Sequence, residues 1–111
     1  MKLNDKIRDR KIAYLFRGDL AIAFELALLY FVLAKRKDAT QKVMDACFKS
    51  IYWLKKANVA IPRHLHQLSP YGQLEEIEKI LVNNKAKIDA RLAAAPVRDN
   101  TRQLAADFGL A

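Results

Sequence analysis

One nearly uncharged stretch constrains the fold of this chain more than any other feature. Residues 20–34 read LAIAFELALLYFVLA, in which Glu25 is the single charge. Ala and Leu, both strong helix formers, dominate it. Gly18 can end a preceding helix, and Asp19 can cap the start of this one. Three cations follow at its C-terminal end, where the helix dipole is negative: Lys35, Arg36 and Lys37. Since a helix that is apolar nearly all round is usually buried, we expect this one at the centre of the fold.

A membrane span is the competing interpretation of the same stretch. Spanning a bilayer takes about 20 mostly apolar residues, and a charge at mid-depth adds a further cost. We therefore expect a core helix, with the small residues Ala23, Ala27 and Ala34 forming a strip that another helix can approach closely. The helical neighbours of Glu25 are apolar, so any ion-pair partner must come from another helix or chain. The alternative is a functional acid tuned by its apolar surroundings.

Length and charge limit the class of protein. The 111 residues suit one domain, and an apolar fraction of 52% is too high for a disordered chain. Residues 1–72 contain fourteen Lys and Arg against six Asp and Glu, whereas residues 73–111 contain six of each. The basic first part indicates an anionic partner or simply solubility. The N-terminus does not resemble a signal peptide, so we expect a cytoplasmic protein.

Helical signals recur on both sides of the central stretch. Asn4 is a candidate cap for a first helix over residues 5–16. Asp38 and Gln41 resemble a capping box that starts a third helix, which Asn58 can end. The spacing of six residues predicts its buried face: Val43, Met44, Cys47, Phe48, Ile51 and Leu54. Cys47 is the single cysteine, which excludes an intrachain disulfide and favours a small core residue.

The remaining segments complete an all-α prediction. Residues 59–72 form an irregular segment with a short helical turn over 63–68, where we expect Leu65 and Tyr71 to pack onto the bundle. Ser69 and Pro70 start a fourth helix to about residue 94, with one seam: Leu74, Ile77, Leu81, Asn84 and Ile88. Asn84 either pairs across a helix interface or is a partly exposed polar residue. The predicted fold is a four-helix bundle or compact helical array over residues 1–96.

Residues 97–111 are predicted to form a linker and a short C-terminal helix or mobile tail. Within this segment, Ala105 and Gly109 are four residues apart and Leu110 follows, with Leu104 in a core-facing position. This spacing resembles the second helix and turn of helix-turn-helix DNA-binding proteins. The chain ends where the recognition helix of that family would begin, so we expect a short terminal helix instead.

The residue patterns that carry catalysis do not occur in this sequence. Its three glycines stand apart and form no phosphate-binding loop. His64 and His66 are two residues apart with no Cys, Asp or Glu close in sequence, which is a poor metal-binding pattern. We therefore expect neither an enzyme nor a bound cofactor or metal.

A binding surface is predicted on the third helix. Lys42, Lys49 and Lys56 recur every seven residues, and Trp53 lies among them, with Lys35, Arg36 and Lys37 beside them. Lysines neutralise phosphates or acidic side chains, and an outward Trp stacks on a base or anchors a protein partner. The alternative is an ordinary solvated face, with Trp53 covered by the N-terminal helix or by residues 59–72.

Two functions fit this prediction. The first is a nucleic-acid-associated accessory or regulatory factor. The second is a helical protein–protein interaction module, such as an adaptor, inhibitor, chaperone or immunity-type protein. We also expect a homodimer, because residues 20–34 have more apolar surface than a small bundle normally covers, unless the other helices wrap them fully.

Overall fold

The computed structural model describes residues 2–94, apart from the side chains of Ile88 and residues 91–94, and this range contains helices and no strand. The elements are α1 (Leu3–Arg17), α2 (Leu20–Lys35), α3 (Thr40–Lys56), a 3-10 turn (Arg63–Gln67) and α4 (Pro70–Ala94). The predicted all-α fold of four helices is confirmed. The predicted linker and tail over residues 97–111, including the segment that resembles a helix-turn-helix unit, lie outside the described residues.

Four predicted boundary residues end or begin helices as expected. Gly18 has the left-handed φ of +58° that lets its N–H bond back to the Tyr14 carbonyl and end α1. The carboxylate of Asp19 accepts a 2.8 Å hydrogen bond from the Ala21 N–H, which caps α2. Asn58 ends α3 at φ +61°, and the Ser69 hydroxyl accepts from the Gly72 N–H in the first turn of α4.

Two predicted helix starts are wrong. Helix α1 begins at Leu3 with Lys2 as its N-cap, so Asn4 lies inside the helix. Helix α3 has Ala39 rather than Asp38 as its N-cap, without a side-chain capping bond. The Gln41 amide instead donates to the Asp45 carboxylate at 2.9 Å. Residues four apart on a helix face each other, so this pairing takes the place of the predicted capping box.

Helix α2 occupies the centre of the fold and packs against α1, α3 and α4. All its residues are buried except Leu20, Leu33 and Lys35. The predicted small-residue strip faces α3, where the Ser50 hydroxyl donates a 2.8 Å hydrogen bond to the Ala27 carbonyl. Because the neighbouring helices wrap α2, the excess apolar surface on which the dimer prediction rested is already covered. The dimer itself stays a prediction.

The buried face of α3 differs from the predicted one. Phe48 is 66% exposed, so its assignment to the core is wrong. The buried face runs through Ala46 and Ser50, besides Val43, Cys47, Ile51 and Leu54. Small residues allow α3 to approach the alanine strip of α2, and this contact turns the helix so that Phe48 faces solvent.

Helix α4 packs against both α2 and α3. Ile77 and Leu81 of the predicted seam are buried, and Leu65 of the preceding 3-10 turn is completely buried. Tyr71, which we expected to pack onto the bundle, is 61% exposed. The Asn84 amide donates to the Ile80 carbonyl of its own helix at 2.8 Å. Asn84 therefore matches the partly exposed alternative rather than the register-fixing one.

Candidate binding surface

The predicted lysine row lies along the solvent-facing side of α3. Lys42, Lys49 and Lys56 are all exposed, and their spacing of seven residues keeps them within about 40° on the helix. Asp45 is the one acidic residue of α3, and its carboxylate accepts the Gln41 amide. The row is therefore predominantly cationic.

Trp53 is half-buried rather than fully outward. The ring of Tyr14, from α1, lies edge-to-face against it with 5.1 Å between centroids and an interplanar angle of 84°. The ring of Tyr52 also lies edge-to-face against Trp53, with 5.3 Å between centroids and an interplanar angle of 87°. The N-terminal helix thus contacts Trp53, which corresponds in part to the covered alternative. Tyr52 is the more accessible aromatic residue, at 48% exposure.

Several lysines lie over aromatic rings. The ammonium groups of Lys11 and Lys49, from α1 and α3, are 5.4 Å and 5.7 Å from the centroid of the buried Tyr30 ring. That of Lys56 is 5.5 Å from the Tyr52 ring. An ammonium within about 6 Å of a ring centroid is attracted by the negative face of the ring. These contacts position the cations, and we define the lysine–aromatic surface by six residues: Lys11, Lys42, Lys49, Tyr52, Trp53 and Lys56.

The three cations that follow α2 are arranged differently. Lys35 lies over Phe31, at 5.4 Å, whereas Lys49 lies over Tyr30. Adjacent residues of a helix point about 100° apart, so Lys35 lies on another flank of α2 from the lysine–aromatic surface. Arg36 is exposed and Lys37 is half-buried in the connection to α3. Lys42, Lys49, Trp53 and Lys56 therefore share one side of α3, whereas Lys35 lies apart from them over Phe31.

Glu25 matches the first of its two interpretations, an acid paired with a basic side chain from another helix. Its carboxylate is completely buried, and Oε1 lies 3.3 Å from Nε of Arg10, whose side chain is 21% exposed. The partner comes from α1, because the sequence neighbours of Glu25 on α2 are apolar. A buried carboxylate held in this way joins α1 to α2 and offers no surface to a substrate.

No described feature points to a metal or nucleophilic centre. His64 and His66 are exposed, and among the described residues no three His, Cys, Asp or Glu side chains are grouped to hold a metal ion. Cys47 is buried, and burial raises the pKa of its thiol from 9.0 to about 11. Since the thiolate is the reactive form, this cysteine is a poor nucleophile at neutral pH.

Sequence reasoning missed the contribution of α1 to the surface. Lys11 contacts the Tyr30 ring and Tyr14 contacts the Trp53 ring through tertiary packing, and no spacing in the sequence indicates either contact. Tyr52 had a signal, because it falls at the edge of the lysine-bearing face of α3.

Comparison with known proteins adds no identification. No protein-family model, curated protein or solved structure matches the chain significantly. Within residues 2–94, no helix has the length and apolar character needed to cross a membrane.

Proposed function

We propose that this protein binds nucleic acid through the lysine–aromatic surface. The observation that supports this most strongly is that exposed lysines from two helices, Lys11 and Lys49, both lie over the Tyr30 ring, while the exposed Tyr52 follows Lys49 by about one helical turn. Cations that converge on one surface neutralise phosphates and release counterions, which supplies most of the affinity in non-specific binding. Aromatic rings beside such cations add stacking with unpaired bases.

The length of the row suits contacts with several phosphates. Seven residues of helix rise about 10.5 Å, so Lys42, Lys49 and Lys56 cover about 21 Å of α3. A row of cations of this length can neutralise more than one phosphate of a nucleic-acid backbone. Such contacts carry no sequence information, which makes this a proposal of non-specific binding.

Salt dependence tests the phosphate contacts. With three or four lysines on phosphates of duplex DNA, log affinity should fall against log salt with a slope of about −3 to −4. The double variant Lys49→Ala/Lys56→Ala should flatten that slope by about two. Fluorescence anisotropy of a labelled duplex at several salt concentrations measures both quantities.

A matched control removes two exposed lysines elsewhere. Lys79→Ala/Lys87→Ala changes the net charge of α4 equally and should leave the slope unchanged, because neither residue belongs to the lysine–aromatic surface. Equal loss in both double variants would show that net charge, not this surface, determines binding. No binding at low salt would reject nucleic acid as the partner.

Tyr52 separates stacking from charge. Stacking on an aromatic ring contributes roughly 1–3 kcal/mol per base, so Tyr52→Ala should weaken single-stranded DNA binding about tenfold without changing the salt slope. Tyr71→Ala, which removes a comparably exposed ring outside the surface, should leave affinity unchanged. Equal affinities of the two variants would remove Tyr52 from the proposed site.

A protein partner is the second candidate function, and the exposure of Phe48 supports it. Phe48 and Tyr52 are four residues apart on α3 and 66% and 48% exposed, with Lys49 and Lys55 alongside. An apolar pair beside cations suits a small, transient interface with an acidic protein. Under this alternative, nucleic acid does not bind at low salt, and capture of a protein partner depends on Phe48.

A further inference from the structure

The C-terminal end of α1 carries a second exposed surface, separate from the one described above. Ile12, Leu15 and Phe16 are 47%, 82% and 85% exposed, although all three are large and apolar. Residues three and four apart lie on the same side of a helix, so these side chains form one continuous apolar patch. We name Ile12, Leu15 and Phe16 the α1 apolar tip.

Exposed cations lie at the same end of the molecule as the α1 apolar tip: Arg17 directly follows Phe16, and Lys55 and Lys56 end the neighbouring α3. The Tyr14 ring is 5.1 Å from the Trp53 ring, which places the last turn of α1 beside the last turn of α3. Leu15 and Phe16 directly follow Tyr14, and the exposed Lys55 and Lys56 end α3 just beyond Trp53. Two acidic residues lie near the tip: Asp19 caps α2 through the Ala21 N–H, and the half-buried Asp9 lies three residues before Ile12 on the same side of α1. One end of the molecule therefore combines protruding apolar side chains with exposed cations.

We propose that this end of the protein adsorbs to the surface of an anionic phospholipid bilayer. Leu15 and Phe16 would enter the boundary between headgroups and acyl chains, while Lys55 and Lys56 contact the anionic headgroups. This is the combination by which peripheral helices bind membranes: buried apolar area together with attraction to acidic lipids. The inference does not depend on nucleic-acid binding, because its apolar residues all lie outside the lysine–aromatic surface, although both proposals use Lys56.

Size and shape favour a bilayer over another protein. A stable protein interface buries about 800 Å² on each partner and involves about 20 residues a side. The α1 apolar tip contributes three side chains on a convex helix, which is far fewer. A bilayer needs no complementary surface, because lipid molecules rearrange around inserted side chains.

Vesicle co-sedimentation of the full chain tests the proposal. The wild-type protein should bind vesicles of phosphatidylcholine mixed with phosphatidylglycerol, and bind phosphatidylcholine vesicles much more weakly. Leu15→Ser/Phe16→Ser keeps the charge and should lower the partition coefficient at least about tenfold. Tyr71→Ser/Val82→Ser removes two exposed large side chains of α4 and should bind as the wild type does.

Three results would overturn the proposal. The first is a wild type that does not bind anionic vesicles, and the second is equal binding by the two double variants, which would make adsorption purely electrostatic. The third is a wild-type dimer, detected by light scattering without lipid, that Leu15→Ser/Phe16→Ser dissociates, which would make a second copy the occupant of the tip.

A fluorescence measurement tests the depth of insertion directly. Phe16→Trp should give a blue-shifted increment of emission when anionic vesicles are added, because the new indole leaves water. Val82→Trp, on α4, should give no shift. Equal shifts in both variants would contradict insertion of the tip.

Discussion

Glu25 is the residue with the largest expected energetic effect, because its carboxylate is completely buried in the central helix. Removing a carboxylate from water costs several kcal/mol, and a well-placed counter-charge compensates much of that cost. Arg10 provides the charge from α1, a helix whose buried apolar residues are only Leu3 and Ile7. The ion pair therefore contributes to holding α1 in position as well as to neutralising Glu25.

Breaking this ion pair should lower stability considerably, whereas replacing both residues by apolar ones should not. We expect Arg10→Ala to lower the free energy of unfolding by about 3 kcal/mol, the lower end for a broken buried pair, because Arg10 remains partly exposed. The apolar replacement Arg10→Met/Glu25→Leu should recover most of this loss. Urea denaturation measures both changes.

The control for this prediction is Arg8→Ala. Arg8 pairs with Asp5 at 3.4 Å on the exposed side of the same helix, so its loss should cost less than about 1 kcal/mol. Equal destabilisation by Arg8→Ala and Arg10→Ala would show that the burial of the Glu25 pair has no special effect.

Among the described elements, α2 and α3 form the most extensive contact. The Ser50 hydroxyl of α3 reaches the backbone carbonyl of Ala27 on α2, which requires the two helix backbones to lie close together. Ala23, Ala27 and Ala34 have no exposed surface at all. Small side chains on both helices are thus what determines the distance between them.

A larger residue at this contact should force the helices apart. We expect Ala27→Leu to lower the free energy of unfolding by about 1–3 kcal/mol, the usual cost of overpacking a core. Ala86→Leu, on the exposed side of α4, should change it by less than about 0.5 kcal/mol. Thermal denaturation of the two variants distinguishes them, and an unchanged midpoint for Ala27→Leu would contradict the close contact.

The sequence was sufficient to predict which segments are helical, but not which face each helix buries. Gly18, Asp19 and Asn58 act through local backbone preferences, so the ends they set could be predicted from the chain alone. The outward position of Phe48 could not, because it follows from the fit of α3 against the alanines of α2. The same holds for the candidate site: the spacing of the lysines on α3 predicted their common face, whereas Tyr14 reaches Trp53 only through the packing of α1.

Across the whole molecule, positive charge concentrates on α1 and α3, while α4 carries four basic and four acidic residues. This division places both proposed binding surfaces away from α4. The core between the helices includes the buried Cys47, whose Sγ lies 3.9 Å from the Pro70 carbonyl at the start of α4. A group at this position reports on the folding of the whole molecule, because it reaches solvent when α3 and α4 separate.

Cys47 should make global stability fall at alkaline pH. Its thiol has a folded-state pKa of about 11, against 9.0 for an unperturbed thiol. Between these values the unfolded chain loses the proton first, so the contribution of Cys47 is complete below pH 9 and disappears as pH rises through 11. The loss is at most about 3 kcal/mol.

Comparison with Cys47→Ala isolates this effect from other groups that titrate at high pH. The variant should be less stable at neutral pH because of the cavity, and the difference from the wild type should shrink as pH rises from 9 to 11. Urea denaturation across this range measures the difference. A constant difference would contradict the raised pKa.

The central position of α2 also has a consequence for synthesis on the ribosome. Helix α2 is made second, yet Leu81 of α4, one of the residues that complete its surroundings, follows 46 positions after Lys35. At a synthesis rate of roughly 5–20 residues per second, roughly 2–9 s pass between the synthesis of α2 and that of Leu81. Throughout this interval the sixteen-residue helix lacks that part of its cover, so we expect the nascent chain to bind chaperones that act during translation.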